Sequence, residues 1–286
     1  MSKAKVRPAV AADIDAVCQL LHEQMNRRLL PERWRRITSY GWLAEKPDFG
    51  RVVDDGGKIV GFVGSVYADR EIAGRRERIV SMSSWYLDKA YRGQGLGFEL
   101  MRSATEDESA SYTMITVSPR NLAMLPGLGY RLLDGDRRVW AASGRPVGGI
   151  EIEQDPARIL AKADPGERRM LQDHAGLPIH PALITAADGR CLAVFSNKKK
   201  GEDVTYFDVL HLSDGAVFAR HAQAIADELL PPGKALLATD TRLLGGETGG
   251  SVEVMPVARY YKSKRLTPAE VDNMYSELLL LDLKLD

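Results

Sequence analysis

The segment Tyr91-Arg92-Gly93-Gln94-Gly95-Leu96-Gly97 constrains this chain more than any other. It follows an alternating apolar run ending in Trp85-Tyr86-Leu87. It precedes helical spacing in Leu96, Leu100, Met101 and Ala104, with Glu99, Arg102, Glu106 and Asp107 on the opposite side. Strand, glycine-rich turn and helix in that order build an anion site. Successive backbone N–H groups converge there, with the positive end of the helix dipole behind them. Glycine suits such a turn because it adopts φ > 0 and has no Cβ to hold a phosphate away. Spacing then narrows the choice of phosphate. The dinucleotide fingerprint G-x-G-x-x-G needs its third glycine one residue later than Gly97. A Walker loop needs lysine and a hydroxyl after its glycines, and Phe98-Glu99 stand there instead. A tight strand–helix connection without a ligand is the plainer alternative.

The pattern Arg92-x-x-Gly95-x-Gly97 resembles the Arg/Gln-x-x-Gly-x-Gly/Ala loop of the GCN5-related N-acetyltransferases, the GNAT superfamily. That loop grips the 3′,5′-ADP-pantetheine carrier of acyl-coenzyme A. The surrounding pattern agrees. Lys5 to Ala9 reads as a short strand, and Asp13 as N-cap of a helix carrying Ile14, Val17, Cys18, Leu21 and Met25. A second helical stretch holds Trp34 and Ile37. Val52-Val53 and Ile59 to Tyr67 flank the hairpin-like turn Asp54-Asp55-Gly56-Gly57. Ile79 to Leu87 is a third strand, with Arg75 to Arg78 as the loop before it. Tyr112 to Val117 is another, closed by Ser118-Pro119-Arg120-Asn121. The order β-α-α-β-β-β-α-β matches GNAT domains, so the resemblance implies an α/β (α+β, mixed-sheet) acyl-CoA N-acyltransferase fold.

A chain of 286 residues suits two domains of about 140 residues each. The stretch Ser143 to Gly149 suggests the boundary, giving an acyl-CoA-binding domain over 1–145 and a second over 146–286. The second half repeats the order: a helical stretch over Pro156 to Gln172, a hairpin around Asp188-Gly189, and a strand over Val204 to Leu212. A helix carrying Phe218, Ala222, Ile225 and Leu229 and a strand over Ala235 to Thr239 follow. Its strand–helix turn, Leu212-Ser213-Asp214-Gly215-Ala216, has one glycine and a carboxylate where an anion would sit. This half is expected to be a degenerate GNAT-like unit, against an unrelated α+β domain. In the tail, Thr267-Pro268-Ala269-Glu270 reads as a capping box ahead of a helix through Val271, Met274, Tyr275 and Leu278. Leu278 to Leu281 should dock on a core, a homodimer contact through the C-terminal half being the lesser alternative.

Composition excludes several classes. Net charge is zero, which argues against nucleic acid or an anionic membrane surface as partner. No apolar run approaches the ~20 residues of a membrane helix. Met1 to Lys5 lacks the apolar core of a signal peptide. Cys18 and Cys191 read as thiols of a reducing compartment rather than a disulfide, so a cytoplasmic location is expected. The five histidines show no ligand spacing, and no metal is expected. Lys198 to Gly201 reads as a solvated hairpin tip.

The resemblance implies specific roles. Amides of Gly93, Gln94, Gly95, Leu96 and Gly97 would meet the pyrophosphate, with Arg92 at its edge. The strand end Trp85-Tyr86-Leu87 would pair with pantetheine and polarise the thioester carbonyl. Asn121 matches an asparagine that contacts the pantetheine arm, with a helix-cap role equally open. One departure stands out: Leu125 occupies the position of the tyrosine that protonates the leaving thiolate, so Tyr130, Tyr112 or water would have to serve. The general base is unassigned among Ser81, Ser83, Glu71, Glu77 and Asp88. The expected activity is acyl-CoA-dependent N-acyl transfer, acetyl by default, to a small-molecule amine. A non-catalytic acyl-CoA sensor or partner-binding protein is the alternative.

Overall fold

Apolar alternation at the head of the chain becomes sheet, and the spacings of three to four residues become helix. In chain order these elements are β1 (Lys5–Pro8), α1 (Ile14–Gln24), α2 (Pro31–Trp34), α3 (Arg36–Ser39), β2 (Gly50–Asp55), β3 (Lys58–Ile72), β4 (Arg75–Leu87), α4 (Leu96–Ala104) and β5 (Ser111–Met114). They continue as β6 (Arg131–Trp140), β7 (Ile150–Glu153), α5 (Pro156–Lys162), α6 (Pro165–Asp173), β8 (His180–Ala186), β9 (Gly189–Lys200), β10 (Val204–Leu212), α7 (Gly215–Leu229), β11 (Ala235–Asp240), β12 (Ser251–Lys262) and α8 (Glu277–Leu280). The computed structural model describes residues 4–145, 148–201, 203–247 and 249–284. Met1 to Lys3 of the N-terminus, and Pro146 and Val147 of the expected boundary, lie outside them.

The chain forms two compact units. The first comprises Met1–Arg131, Arg259–Leu266 and Tyr275–Leu283, and the second Leu132–Ala258, Thr267–Met274 and Lys284–Asp286. This differs from a single division at residue 145. β6 pairs with β11 through Leu237↔Trp140 to Asp240↔Arg137, which draws it into the second unit. Two C-terminal segments belong to the first.

In the first unit the strands run β1-β2-β3-β4-β5, followed by the Tyr260 to Lys262 end of β12 on β5. β1 to β4 are antiparallel neighbours, whereas β4 and β5 are parallel. β3 is buried almost continuously from Ile59 to Ala68. Such a run, rather than alternation, is what a strand covered on both faces requires. α1 supplies Ile14, Val17, Cys18 and Leu21 to the core, and α4 supplies Leu100, Met101 and Ala104. Full burial of a leucine such as Leu21 or Leu100 contributes roughly 2 kcal/mol.

Several local expectations change. Arg75 to Arg78 is strand, not loop: Asp69↔Arg78 and Glu71↔Arg76 pair across β3 and β4, and the turn falls at Ala73-Gly74. The charges find partners outside the segment, one of them across the ladder. Arg78 donates twice to Asp69, at 2.7 and 2.9 Å, and Arg265 meets Glu77 at 3.0 Å. Asp13 does not cap α1 with its side chain. Its carboxylate accepts from Arg7 at 2.7 and 2.8 Å and from the Val10 amide, and the guanidinium holds it below the usual carboxylate range. The second helical stretch is two short helices, α2 and α3.

In the second unit the strand order is β6-β11-β10-β9-β8-β7. From β7 onward the elements follow β-α-α-β-β-β-α-β, with β10 and β11 parallel as β4 and β5 are. α7 buries Val217, Phe218, Ala222, Ile225 and Ala226 against Ile184, Ala193, Phe195 and Leu237. The Lys198 to Lys200 run lies on β9 rather than at a tip, with Lys200 paired to Asp208 at 2.8 Å. The expected tail helix does not form. The capping residues do meet, Glu270 accepting from the Thr267 amide at 2.8 Å, but only one 3-10 turn, Pro268–Glu270, follows. Asn273 then bonds Asp240 and the Leu210 carbonyl, which holds the chain out of helix. Leu278 to Leu281 are buried within the first unit. Cys18 and Cys191 are both buried free thiols. Among the described residues no helix is long and apolar enough to cross a membrane.

Candidate active site

β4 and β5 share only three residue pairs, Ile79↔Ser111, Val80↔Tyr112 and Ser81↔Thr113. β5 stops at Met114, yet β4 continues to Leu87, so its edge beyond Ser81 has no β5 partner. A β-bulge lies in this free stretch. Phe62 pairs with Tyr86 and Gly64 with Ser83, so Ser84 and Trp85 together oppose Val63, and Ser84 takes φ +57°. A left-handed serine inside a strand is strained, and bulges of this kind re-aim side chains.

The glycine loop closes the open end. Its base is pinned by the Tyr91 hydroxyl donating to Asp55 at 2.6 Å, Arg92 Nε donating to the Leu87 carbonyl at 2.9 Å, and Asp88 accepting from the Ala90 amide at 3.1 Å. Gly93 and Gly95 have φ of +77° and +81°, a region L side chains rarely adopt. Gly95 is also the N-cap of α4. Among the described residues, the amides of Gly93, Gln94, Gly95, Leu96 and Gly97 have no hydrogen-bond acceptor. They are orphan donors at a helix N-terminus, the arrangement that takes an anion.

A groove of about 840 Å³ opens over these amides. Trp85, Tyr86, Leu87, Arg92, Gly93, Gly95, Gly97 and Asn121 all line it. The side chains of Gln94 and Leu96 do not. Gln94 turns back to the Ala90 carbonyl at 3.4 Å, so only its main chain is available to a ligand. Trp85 Nε1 donates to the Gly97 carbonyl at 3.2 Å, tying the strand end to the first turn of α4. Asn121 lies within a 3-10 turn, Pro119–Met124, whose N-cap is Ser118, so it is not a cap, and its side chain makes no hydrogen bond among the described residues.

Lys89, Arg120 and Ser118 also line the groove, together with Met25 just after α1. Sequence reasoning missed them. Lys89 and Arg120 flank quoted motifs, in Asp88-Lys89 and Pro119-Arg120-Asn121, but an isolated surface cation carries no signal of its own. With Arg92 they give the groove three cationic side chains and, among the described residues, no carboxylate. A chain of zero net charge thus carries a local positive field here. Burial pushes the Tyr86 phenol up, so its hydroxyl stays a donor.

Beyond the groove lies a smaller inner pocket of about 30 Å³, between β4 and the chain after β5. Met25, Trp85, Ser118 and Asn121 are common to both spaces. Four methionines line the pocket, Met25, Met82, Met101 and Met114, with Ser83, Ser84, Thr116 and Ser118 as its hydroxyls.

Residues 14–126 match the family model described as the acetyltransferase (GNAT) family. Solved structures align with 91% of the chain: a GCN5-related N-acetyltransferase from Kribbella flavida (15% identity, 71% of that chain, TM-score 0.58) and another from Anabaena variabilis ATCC 29413 (13%, 72%, 0.56). A conserved protein of Enterococcus faecalis V583 described as a probable N-acyltransferase aligns similarly (12%, 72%, 0.55). The chain has the GNAT fold. No curated protein sequence matches it.

The strand–helix turn of the second unit, between β10 and α7, is built differently from the glycine loop. Asp214 accepts from the Val217 amide at 2.9 Å, and the Ser213 amide is bonded to the Leu192 carbonyl at 3.0 Å. Gly215 is packed so tightly that an added Cβ would lie 1.9 Å from the Leu243 carbonyl oxygen. The loop after β4 leaves open space beside Gly93 and Gly95, whereas here main chain fills the space beside Gly215 and a carboxylate already sits at the helix N-cap. Neither tyrosine considered as an acid reaches the groove. Tyr112 donates to the Asp107 carbonyl at 3.1 Å, and Tyr130 is buried with its hydroxyl 3.9 Å from Met101 Sδ. Leu125 is fully buried. No group of His, Cys, Asp and Glu suited to a metal occurs among the described residues.

Proposed function

We propose that the first unit transfers an acyl group, acetyl by default, from coenzyme A to a small-molecule amine. The observation that carries this reading is the row of unbonded amides from Gly93 to Gly97, opening into a groove whose charged side chains are Lys89, Arg92 and Arg120. Diphosphate would rest on those amides, and the cations would meet it and the ribose phosphate. Pantetheine would run along the free β4 edge toward Asn121, which brings the thioester to the shared wall of groove and pocket. Ser118 is a hydroxyl on that wall, suited to protonate the departing thiolate where Leu125 cannot. The second unit is, on this reading, a GNAT-like copy whose turn is occupied by its own Asp214.

Release of free thiol from acetyl-CoA with a panel of primary amines tests the proposal. Turnover with at least one amine supports it. Tight coenzyme binding without turnover would favour a sensor, the reading to which the buried Leu125 lends weight.

The inner pocket would receive the acyl group, and its small volume favours short chains. Acetyl-CoA is expected to be used at least about tenfold better than hexanoyl-CoA, since each misfit methylene group costs ~1 kcal/mol or more of transition-state binding. Met25 is 45% exposed, so Met25→Ala should fold normally while opening the pocket wall. That variant should narrow the preference severalfold in steady-state rates, and an unchanged ratio would place the acyl chain elsewhere.

A further inference from the structure

Glu277 was not singled out by any sequence pattern, yet it is fully buried in the first unit, on the short helix α8. Both carboxylate oxygens are held by hydroxyls. Ser81 Oγ donates to Oε2 at 2.5 Å, and Thr116 Oγ1 donates to Oε1 at 2.6 Å. These two donors flank the point where the central strands part: Ser81 is the last β4 residue paired with β5, and Thr116 follows just after β5 ends. Thr116 is exposed and lines the inner pocket. One hydroxyl therefore links a carboxylate withdrawn from water to the space where the acyl group and its acceptor would meet.

Its surroundings leave the carboxylate without a counter-ion. Among the described residues no cation pairs with Glu277. The charged side chains of the elements packed against α8 are committed or exposed: Glu77 faces Arg265 and Arg75, Arg78 faces Asp69, and Arg76 and Arg36 are exposed. On the tail itself, Asp282 pairs with Arg33 at 2.8 Å. Burial disfavours the charged form and raises the carboxyl above its ordinary range, in the direction a base working near neutrality needs. A group serving only to anchor the tail would gain nothing from being ionisable.

The geometry points to Glu277 as the proton acceptor for the amine, acting through the Thr116 hydroxyl; this rests on the acyltransferase reading above. The acceptor ammonium gives a proton to Thr116 Oγ1 while Thr116 passes its own to Glu277 Oε1. The freed nitrogen lone pair forms a bond to the thioester carbon, and the C–S bond breaks with its electron pair going to sulfur. Nitrogen then sheds its second proton and the thiolate gains one. The proton stored on Glu277 returns to solvent by the same hydroxyl. Thr116 is the group that meets the acceptor, and Glu277 is the positioning residue behind it, oriented by Ser81.

The test uses acetyl-CoA with an alkyl amine that the wild type acetylates and with methoxyamine, which is neutral at pH 7. Glu277→Gln and Thr116→Val should each lower kcat with the alkyl amine about 100-fold, the usual scale of a lost general base, with acetyl-CoA affinity within threefold of wild type. Their residual rate should climb about tenfold per pH unit as free amine accumulates, and the defect with methoxyamine should shrink to a few-fold. Thr116→Ser should restore the wild-type rate. Equal defects with both amines, a wild-type pH profile, or undiminished turnover would overturn the proposal. Because Thr116 is exposed, its variants decide the matter even if Glu277→Gln fails to fold. Absence of turnover by the wild type would instead overturn the transferase reading, and this proposal with it.

Discussion

Gly95→Glu is expected to weaken acetyl-CoA binding by at least about 100-fold while the protein stays folded. Two effects add. Gly95 has φ +81°, where any L side chain costs ~1–2 kcal/mol. The new carboxylate would also stand at the head of α4 among the amides proposed to hold the diphosphate, setting like charges together where the helix dipole favours one anion. A 100-fold loss corresponds to about 2.7 kcal/mol, within reach of the pair. No heavy atom lies within 4 Å of a Cβ built on Gly95, so the core is untouched, and far-UV circular dichroism should match wild type. Gly97→Ala is the control. Gly97 is in the first turn of α4 and its Cβ would meet only Leu87 Cδ2, at an ordinary 3.7 Å, so binding should change less than threefold. Calorimetric titration of both variants makes the comparison, and full affinity in Gly95→Glu would remove the loop from the coenzyme site.

Gly215→Ala is expected to do the opposite: cost about 3 kcal/mol of stability with no direct effect on the coenzyme groove. Its Cβ would stand 1.9 Å from the Leu243 carbonyl oxygen, a rigid main-chain atom that cannot swing aside as a side chain would. Relief requires moving α7 or the Thr241–Leu244 turn, which places the cost at the upper end of overpacking penalties. Denaturant unfolding should show the loss. A variant as stable as wild type would mean that the turn is loosely packed and that its filled state has no structural purpose.

The contrast between these two glycines bears on how much of the protein could be read from its residues. Arg92-x-x-Gly95-x-Gly97 was legible because backbone conformation and the absence of Cβ are local properties, written in residue type at fixed spacing. The same holds for the order of strands and helices, since burial periodicity is local too. Lys89, Arg120 and Ser118 were not legible as site residues, because an exposed polar side chain has the same local pattern whether or not it faces a groove. The Arg75 to Arg78 segment looked like loop because four consecutive charged residues show no apolar alternation. Arg78 is matched by Asp69 across β3 and β4, and Glu77 by Arg265 from the chain after β12.

The tail shows the limit most clearly. Thr267 to Leu278 has the capping residues and the spacing of a helix, but local preference lost to long-range contacts at Asn273 and to burial of Leu278 to Leu281 in the first unit. Nothing near Glu277 in sequence marks it, because Ser81 and Thr116 are 196 and 161 residues away. By itself the sequence determined the glycine turn and the order of elements that carries it, since both follow from backbone freedom and apolar spacing within a few residues. Only the tertiary structure decided which carboxylate lies buried beside the parted strands and which cations face the groove. Those depend on which distant segments are brought within a few ångströms of one another.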